Sequence, residues 1–229
     1  GYVADHGRVV QYRLAADAFA RFKMPVNVCP GNHDQDAAFT ASIGRPGVAT
    51  SRVVSAGAWG FLFVDSNAGV MVPSATGRHV DPDDVADRLH RNGSLGPRES
   101  DWIRATCATI DAEHIFIWVH HPPSPPRGLG GDDTYSAEWA ALLADLPRVR
   151  GLGGGHTHIP TDYVLDGRPV FVAPALKNNF DLDAGTLLPP GYRSYQFAPD
   201  GTITSQVRLV DDARWPRSIL ARSVVALLN

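Results

Sequence analysis

The chain has 229 residues, of which 21 are lysine or arginine and 24 are aspartate or glutamate, giving a formal net charge of -3. Its hydrophobic content of 44% is enough to bury a sizeable core, and α/β chains of this length commonly form one domain. The lack of a basic excess argues against a nucleic-acid polymer as partner, and no apolar run approaches the roughly 20 residues that span a bilayer.

Hydrophobic periodicity divides the chain into alternating strands and helices, without internal repeats. The predicted strands cover residues 25–29, 59–64, 115–119 and 149–152. The predicted helices cover residues 9–22, 97–110 and 137–146. The long connection between residues 65 and 96 is expected to hold a short helix capped near Asp81 and Pro82. This order of elements predicts a layered α/β domain.

Two Asp-Gly pairs predict β-hairpins in the last third of the chain. The pairs are Asp166-Gly167, between apolar runs at residues 163–165 and 170–172, and Asp200-Gly201, between runs at residues 195–197 and 202–204. Because a hairpin joins antiparallel strands, we expect the C-terminal half of the sheet to be antiparallel.

Residues with metal-ligand chemistry follow three of the predicted strands. The three segments are Gly31-Asn32-His33-Asp34, His120-His121-Pro122 and Gly155-His156-Thr157-His158. Each segment alone has a plainer interpretation, because an asparagine suits a turn and a histidine after a buried strand can bond a backbone carbonyl. Neutral imidazole and an asparagine carbonyl both bind divalent ions, so their recurrence at three strand ends favours a shared metal site.

These segments resemble the later signature blocks of the calcineurin-like metallophosphoesterases. Further similarity is to the bacterial cyclic-nucleotide phosphodiesterase branch of that family, and it lies at Leu95-Gly96-Pro97, Val172-Ala173-Pro174, Asn178-Asn179-Phe180 and Gly191-Tyr192-Arg193. The resemblance covers essentially the whole chain. It implies a single phosphoesterase domain over residues 1–229, with an α/β fold of two packed β-sheets flanked by helices and the metal site at the strand ends.

The resemblance also implies a set of metal ligands. Asn32, His120 and His156 would bind one ion, the second metal of the family, while His158 would bind the first. The family uses two divalent ions, which can be manganese, iron or zinc. Because most ligands of the first metal have no counterpart here, we expect this chain to hold at most one ion well.

Catalytic roles follow from the same resemblance. His33 would stabilise charge on the phosphate or protonate the leaving oxygen, and Asp34 would orient His33. His121 and Asn178 would contact the substrate or support the ligands. In such a site a hydroxide activated by both metals attacks phosphorus in line with the leaving group.

The opening blocks of the family have no full counterpart in this chain. The first block, Asp-x-His, is absent, and the next block, Gly-Asp, falls on Gly1-Tyr2. Tyr2 therefore stands where the family has a metal-bridging aspartate, and a neutral phenol does not readily replace a bridging carboxylate. Asp5 and His6 lie past the strand end, where they are expected to cap a helix. We therefore expect an N-terminally truncated domain that lacks its first strand and helix.

The resemblance predicts metal-dependent hydrolysis of phosphodiesters in the full-length parent, with a 3',5'-cyclic nucleotide or a similar small phosphate ester as substrate. With its incomplete ligand set, this chain is expected to be impaired. The alternative is a catalytically inactive phosphoesterase-like protein that binds phosphate ligands or a protein partner. Specificity is expected to come from the loops at residues 66–96, 124–133 and 177–190.

The two cysteines, Cys29 and Cys107, are far apart and lack metal-ligand spacing. Reduced thiols and a cytoplasmic location are therefore expected, rather than a disulfide framework. Gly1 follows no methionine, cationic leader or apolar segment, an arrangement typical of a trimmed or partial product.

Overall fold

The computed structural model describes residue 3 and residues 8–34, 36–44, 48–50, 52–69, 92–126, 133–177, 179–210 and 218–219. Helices in this part of the chain include α1 (Val9–Phe19), α2 (Asp36–Ile43), α3 (Gly96–Thr109) and α4 (Asp133–Ala144). The earlier strands are β1 (Val26–Asn27), β2 (Val48–Ala49), β3 (Val53–Ala56), β4 (Trp59–Val64), β5 (His114–Val119) and β6 (Val149–Gly154). The later strands are β7 (Thr161–Leu165), β8 (Arg168–Val172), β9 (Asn179–Asp181), β10 (Thr186–Leu188), β11 (Gly191–Phe197), β12 (Ile203–Leu209) and β13 (Ser218–Ile219).

Six strands form one mixed sheet in the order β3-β4-β5-β6-β8-β7. Strands β4, β5, β6 and β8 run parallel, while β3 and β7 pair antiparallel at the two edges. The two predicted hairpins are confirmed as β7–β8 and β11–β12. Periodicity does not predict α2, β2 or β3, which are too short to show a clear period. The helix expected near Asp81 lies outside the described residues.

The expectation of an antiparallel C-terminal half is wrong for β8. Leu152 of β6 lies opposite Val170 of β8 in a parallel pairing, and β7 lies outside β8 at the sheet edge. A hairpin motif specifies that its two strands pair, but not which of them docks on the existing sheet. Here Val170, Phe171 and Val172 are buried, whereas β7 is only half-buried, so the more apolar strand takes the inner position.

The side chains of β5 alternate between the two faces of the sheet, as a pleated strand requires. Ile115 and Ile117 belong to the core shared with α3 and α4. Phe116 and Trp118 point to the other face, where they pack against the β11–β12 hairpin. Trp118 meets Tyr195 edge to face with ring centroids 4.9 Å apart. Helices therefore cover one face of the sheet and a β-hairpin covers the other.

A second core holds the N-terminal segment together. Tyr12 of α1 packs with Phe39 of α2 and Val48 of β2. Strand β1 pairs parallel with β2, with Val26 opposite Val48, and then leads into the loop that carries Asn32. No helix among the described residues has the length and apolar character that crossing a membrane requires.

Gly153 in β6 leaves room for the aromatic layer under the hairpin. A Cβ atom at this position would lie 2.5 Å from the ring of Trp118 and 3.0 Å from the ring of Phe116. Real Cβ atoms do not approach other heavy atoms so closely. Either the rings or the strand would have to move to accept a side chain.

Gly153→Ala is therefore expected to lower the free energy of unfolding by about 1–3 kcal/mol, because the added carbon overpacks the aromatic layer. Urea denaturation followed by tryptophan fluorescence measures the change. Gly44→Ala is the matched control, since a Cβ there meets no atom within 4 Å. The control should change stability by less than about 0.5 kcal/mol. Equal stability of the two variants would contradict this packing.

Candidate metal centre

The carboxyl ends of β4, β5 and β6 lie side by side at one edge of the six-stranded sheet. Val64 pairs with Val119 and Trp118 pairs with Gly153, both in parallel register. Because parallel strands end at the same edge, the residues that follow them meet there. These residues are Asp65-Ser66, His120-His121 and Gly155-His156.

Asn32 joins this edge from the loop after β1. Its Oδ1 atom lies 2.9 Å from Nε2 of His120, and Nδ1 of His156 lies 3.2 Å from the same nitrogen. Ligands held about 2.0–2.1 Å from a tetrahedral ion lie roughly 3.3 Å from one another. Nε2 of His120 therefore lies from each of the other two atoms at about the separation that two ligands of one divalent ion have. The structure brings together these three of the predicted ligands.

These three side chains are buried, with only 5% of Asn32, 3% of His120 and 8% of His156 exposed. Burial, together with the neighbouring imidazoles of His121 and His156, lowers the pKa of His120 well below its usual range. His120 is therefore neutral at ordinary pH. A neutral imidazole keeps the lone pair through which histidine binds a metal ion.

His121 extends the cluster beyond the predicted ligands. Among the described residues, the metal-binding atoms of His120, His121 and His156 all lie within 4.8 Å of one another. Nδ1 of His121 lies 2.7 Å from Oγ of Ser66, and the Tyr135 hydroxyl donates to the His121 carbonyl at 2.9 Å. Sequence reasoning missed Ser66, because one serine in a long connection carries no pattern. Its one signal is its place just after a buried strand.

The loop after β6 has a left-handed backbone at two histidines. The φ angle is 66° at His156 and 57° at His158, in a region that residues other than glycine rarely adopt. The N–H of Gly155 donates to the carbonyl of His120 at 3.0 Å, which joins the two histidine segments through their backbones. Such conformations persist where the surroundings hold them, and they occur most often at functional sites.

Asp34 fixes the loop after β1 through its carboxylate. Its Oδ2 atom accepts the backbone N–H of Gly31 at 2.9 Å and that of Val3 at 3.4 Å. His33 is exposed, between the buried side chains of Asn32 and Asp34. The loop therefore holds Asn32 in the cluster while it leaves the imidazole of His33 accessible.

His158 does not belong to the group of three histidines. Its ring stacks on Phe180 with centroids 6.0 Å apart, and its carbonyl accepts the N–H of Phe180 at 2.8 Å. Its role at a first metal stays a prediction. The remaining residues to which the sequence assigned a place lie outside the described part of the chain, and their roles stay predictions too: Tyr2, Asp5, His6 and Asn178.

Comparison with known proteins finds a matching family model and several relatives of this chain. A family model described as calcineurin-like phosphoesterase matches residues 3–160. The 3',5'-cyclic adenosine monophosphate phosphodiesterase CpdA of Escherichia coli strain K12 is 27% identical over 227 residues, 94% of this chain and 74% of that protein. A probable cyclic nucleotide phosphodiesterase of Synechococcus is 25% identical over 219 residues, 92% of this chain and 75% of that protein. A dimetal phosphatase structure from Danio rerio aligns with a TM-score of 0.41 and 15% identity, covering 61% of this chain and 54% of that one.

We expect the chain to bind Zn²⁺ and His120→Ala to weaken that binding about 100-fold or more, because Nε2 of His120 contacts both of the other ligand atoms. Isothermal titration calorimetry of the metal-free protein measures the affinity. His114→Ala is the control, since His114 begins β5 and bonds the carbonyl of Pro199 at 3.0 Å, away from the cluster. Unchanged affinity in His120→Ala would rule out this cluster as the metal site.

Proposed function

Because the chain belongs to the calcineurin-like phosphoesterase family, we propose that it hydrolyses phosphodiesters in a metal-dependent reaction. The substrate class we propose is a 3',5'-cyclic nucleotide or a similar small phosphodiester. The names of the relatives in Escherichia coli and Synechococcus support this class. The observation that carries the proposal is the buried cluster of Asn32, His120 and His156, whose ligand atoms lie 2.9 and 3.2 Å apart.

The donor set suits a divalent ion. One amide oxygen and two imidazole nitrogens form a mixed site that zinc, manganese or iron can occupy. We propose Asn32, His120 and His156 as the ligands of one ion, and His158 as a ligand of another. When bound, such ions lower the pKa of water and neutralise charge on a phosphate. The group of three histidines contains no carboxylate from the described residues, so we propose that the chain holds at most one ion well.

His33 is the residue that we propose acts on the substrate. It is exposed and follows directly after Asn32, so its imidazole can reach a phosphate held at the cluster. There it would donate a proton to the leaving oxygen or a hydrogen bond to a phosphoryl oxygen on which negative charge develops. Asp34 would hold His33 in place, because its carboxylate anchors the loop to the N–H of Gly31.

A catalytically inactive binding protein is the second candidate. What favours it is the sequence at Tyr2, which stands where the family has its bridging aspartate, because a phenol does not readily replace a bridging carboxylate. Such a protein would bind a phosphate ester without turnover. Equilibrium binding and hydrolysis of the same cyclic nucleotide therefore separate the two candidates.

A small phosphate ester, rather than a nucleic-acid polymer, is the partner that we propose, in keeping with the formal charge of -3. The cytoplasm is the proposed location, because Cys29 and Cys107 are both free thiols. Burial raises the pKa of Cys107 to about 11, so this thiol is protonated and unreactive at neutral pH.

His33→Ala is expected to lower turnover of a poor leaving group by about 10²–10⁴, the range of general acid-base assistance. The loss should be smaller with a nitrophenyl phosphodiester, because nitrophenolate leaves without being protonated. Steady-state hydrolysis of both substrates with added Mn²⁺ measures the two effects.

Zinc affinity of His33→Ala should match that of the unchanged chain, with His120→Ala as the contrasting variant. Loss of metal binding in His33→Ala would show that His33 is a ligand. Binding of the cyclic nucleotide by the unchanged chain, with no hydrolysis above background, would favour the inactive binding protein.

A further inference from the structure

The four residues that follow β5 have few ways to be held by their own backbone. This segment, His120-His121-Pro122-Pro123, is buried, and its two prolines have no N–H to donate. A proline also fixes its own φ angle and restricts the residue before it. The segment is therefore a stiff stretch of chain, and its position must be set by groups that donate hydrogen bonds to its carbonyl oxygens.

Two tyrosine hydroxyl groups supply such donors from two different elements. Tyr135 of α4 donates to the carbonyl of His121 at 2.9 Å, and Tyr163 of β7 donates to the carbonyl of Pro123. The direction of both bonds is fixed, because a backbone carbonyl can only accept. Tyr135 belongs to the core shared with α3, and Tyr163 packs against that core. Because a tyrosine ring is rigid and has its hydroxyl at the tip, packing of the ring fixes the position of the donor.

A third bond joins the segment to the neighbouring part of the candidate centre. The carbonyl of His120 accepts the N–H of Gly155 at 3.0 Å, and Gly155 directly precedes the candidate ligand His156. The prolines lie against β6, since a Cβ atom at Gly154 would be 2.8 Å from Cβ of Pro122. The backbone position of His120 therefore depends on β5 before it and on the tyrosine-bonded stretch after it.

We propose that Tyr135 and Tyr163 are positioning residues for the metal centre. By fixing the segment after β5, they hold the imidazole of His120 in place beside the other two candidate ligands. The proposal rests on the proposed function for the use of the metal centre, but it concerns metal affinity rather than turnover. Without either bond, the segment gains freedom that is lost again when an ion binds, and this loss weakens the affinity.

The first test measures the zinc affinity of Tyr135→Phe and Tyr163→Phe by isothermal titration calorimetry, well below the melting temperature of each variant. Each substitution removes only the hydroxyl oxygen, so each should weaken Zn²⁺ binding about 3- to 10-fold, the net effect of one hydrogen bond. Tyr195→Phe is the matched control. The Tyr195 hydroxyl is buried on the other face of the sheet and has no hydrogen-bond partner among the described residues, so its loss should leave the affinity unchanged.

Circular dichroism and urea denaturation of the metal-free variants separate positioning from stability. Folded variants that lose stability but keep the zinc affinity of the unchanged chain would overturn the proposal, and so would an equal loss of affinity in Tyr195→Phe. If Tyr135→Phe does not fold, Tyr163→Phe on the edge strand β7 decides the outcome in the same way. An unchanged chain that binds no zinc would remove the metal centre and this role with it. Zinc binding without hydrolysis would contradict the proposed function alone.

The second test needs no metal ion. Amide hydrogen exchange, followed by NMR, reports on the bond from the N–H of Gly155 to the carbonyl of His120. In Tyr135→Phe this amide should exchange about 3- to 10-fold faster than in the unchanged chain. Ile115 is the internal reference and should change less, because its N–H donates to the carbonyl of Arg148 at 2.8 Å near the other end of β5. No acceleration at Gly155, or an equal acceleration at both amides, would overturn the local role of Tyr135.

Discussion

The parallel register of β4, β5 and β6 is the constraint on which the rest of the site depends. Val64 lies opposite Val119 and Trp118 lies opposite Gly153, so all three strands end at one edge of the sheet. Side chains alternate along a strand, and a shift by one residue would turn His120 towards the other face. The apolar alternation of β5 between helices and hairpin therefore sets the position of the histidines that follow it.

The polar side chains buried at that edge affect both the stability of the fold and the ability of the site to bind a metal ion. Polar groups taken out of water are costly unless they are hydrogen-bonded, and Nε2 of His120 contacts Oδ1 of Asn32 and Nδ1 of His156. The same burial keeps His120 neutral. A bound cation would replace these mutual contacts by bonds to the ion. The surrounding loops, held by Asp34 and by the N–H of Gly155, fix the ligand atoms before any ion arrives.

The sequence predicts the elements that have a strong pattern and the residues that end them. Strand β4 and the two hairpins match, because apolar runs and Asp-Gly turns are local signals. Local signals could not predict that β8 pairs parallel with β6. That pairing depends on whether β7 or β8 takes the place next to β6 in the sheet. The contact of Ser66 with His121 was equally hidden, because 55 residues separate them. The assignment of His158 to a first metal rests on family resemblance and stays a prediction.

Anomalous X-ray diffraction from crystals soaked in Zn²⁺, recorded on both sides of the zinc absorption edge, locates the bound ion. We expect a zinc ion, seen as a peak in the anomalous difference map, coordinated by Oδ1 of Asn32, Nε2 of His120 and Nδ1 of His156. A well-occupied zinc ion elsewhere on the chain, with these three side chains unliganded, would show that this cluster is not the metal site.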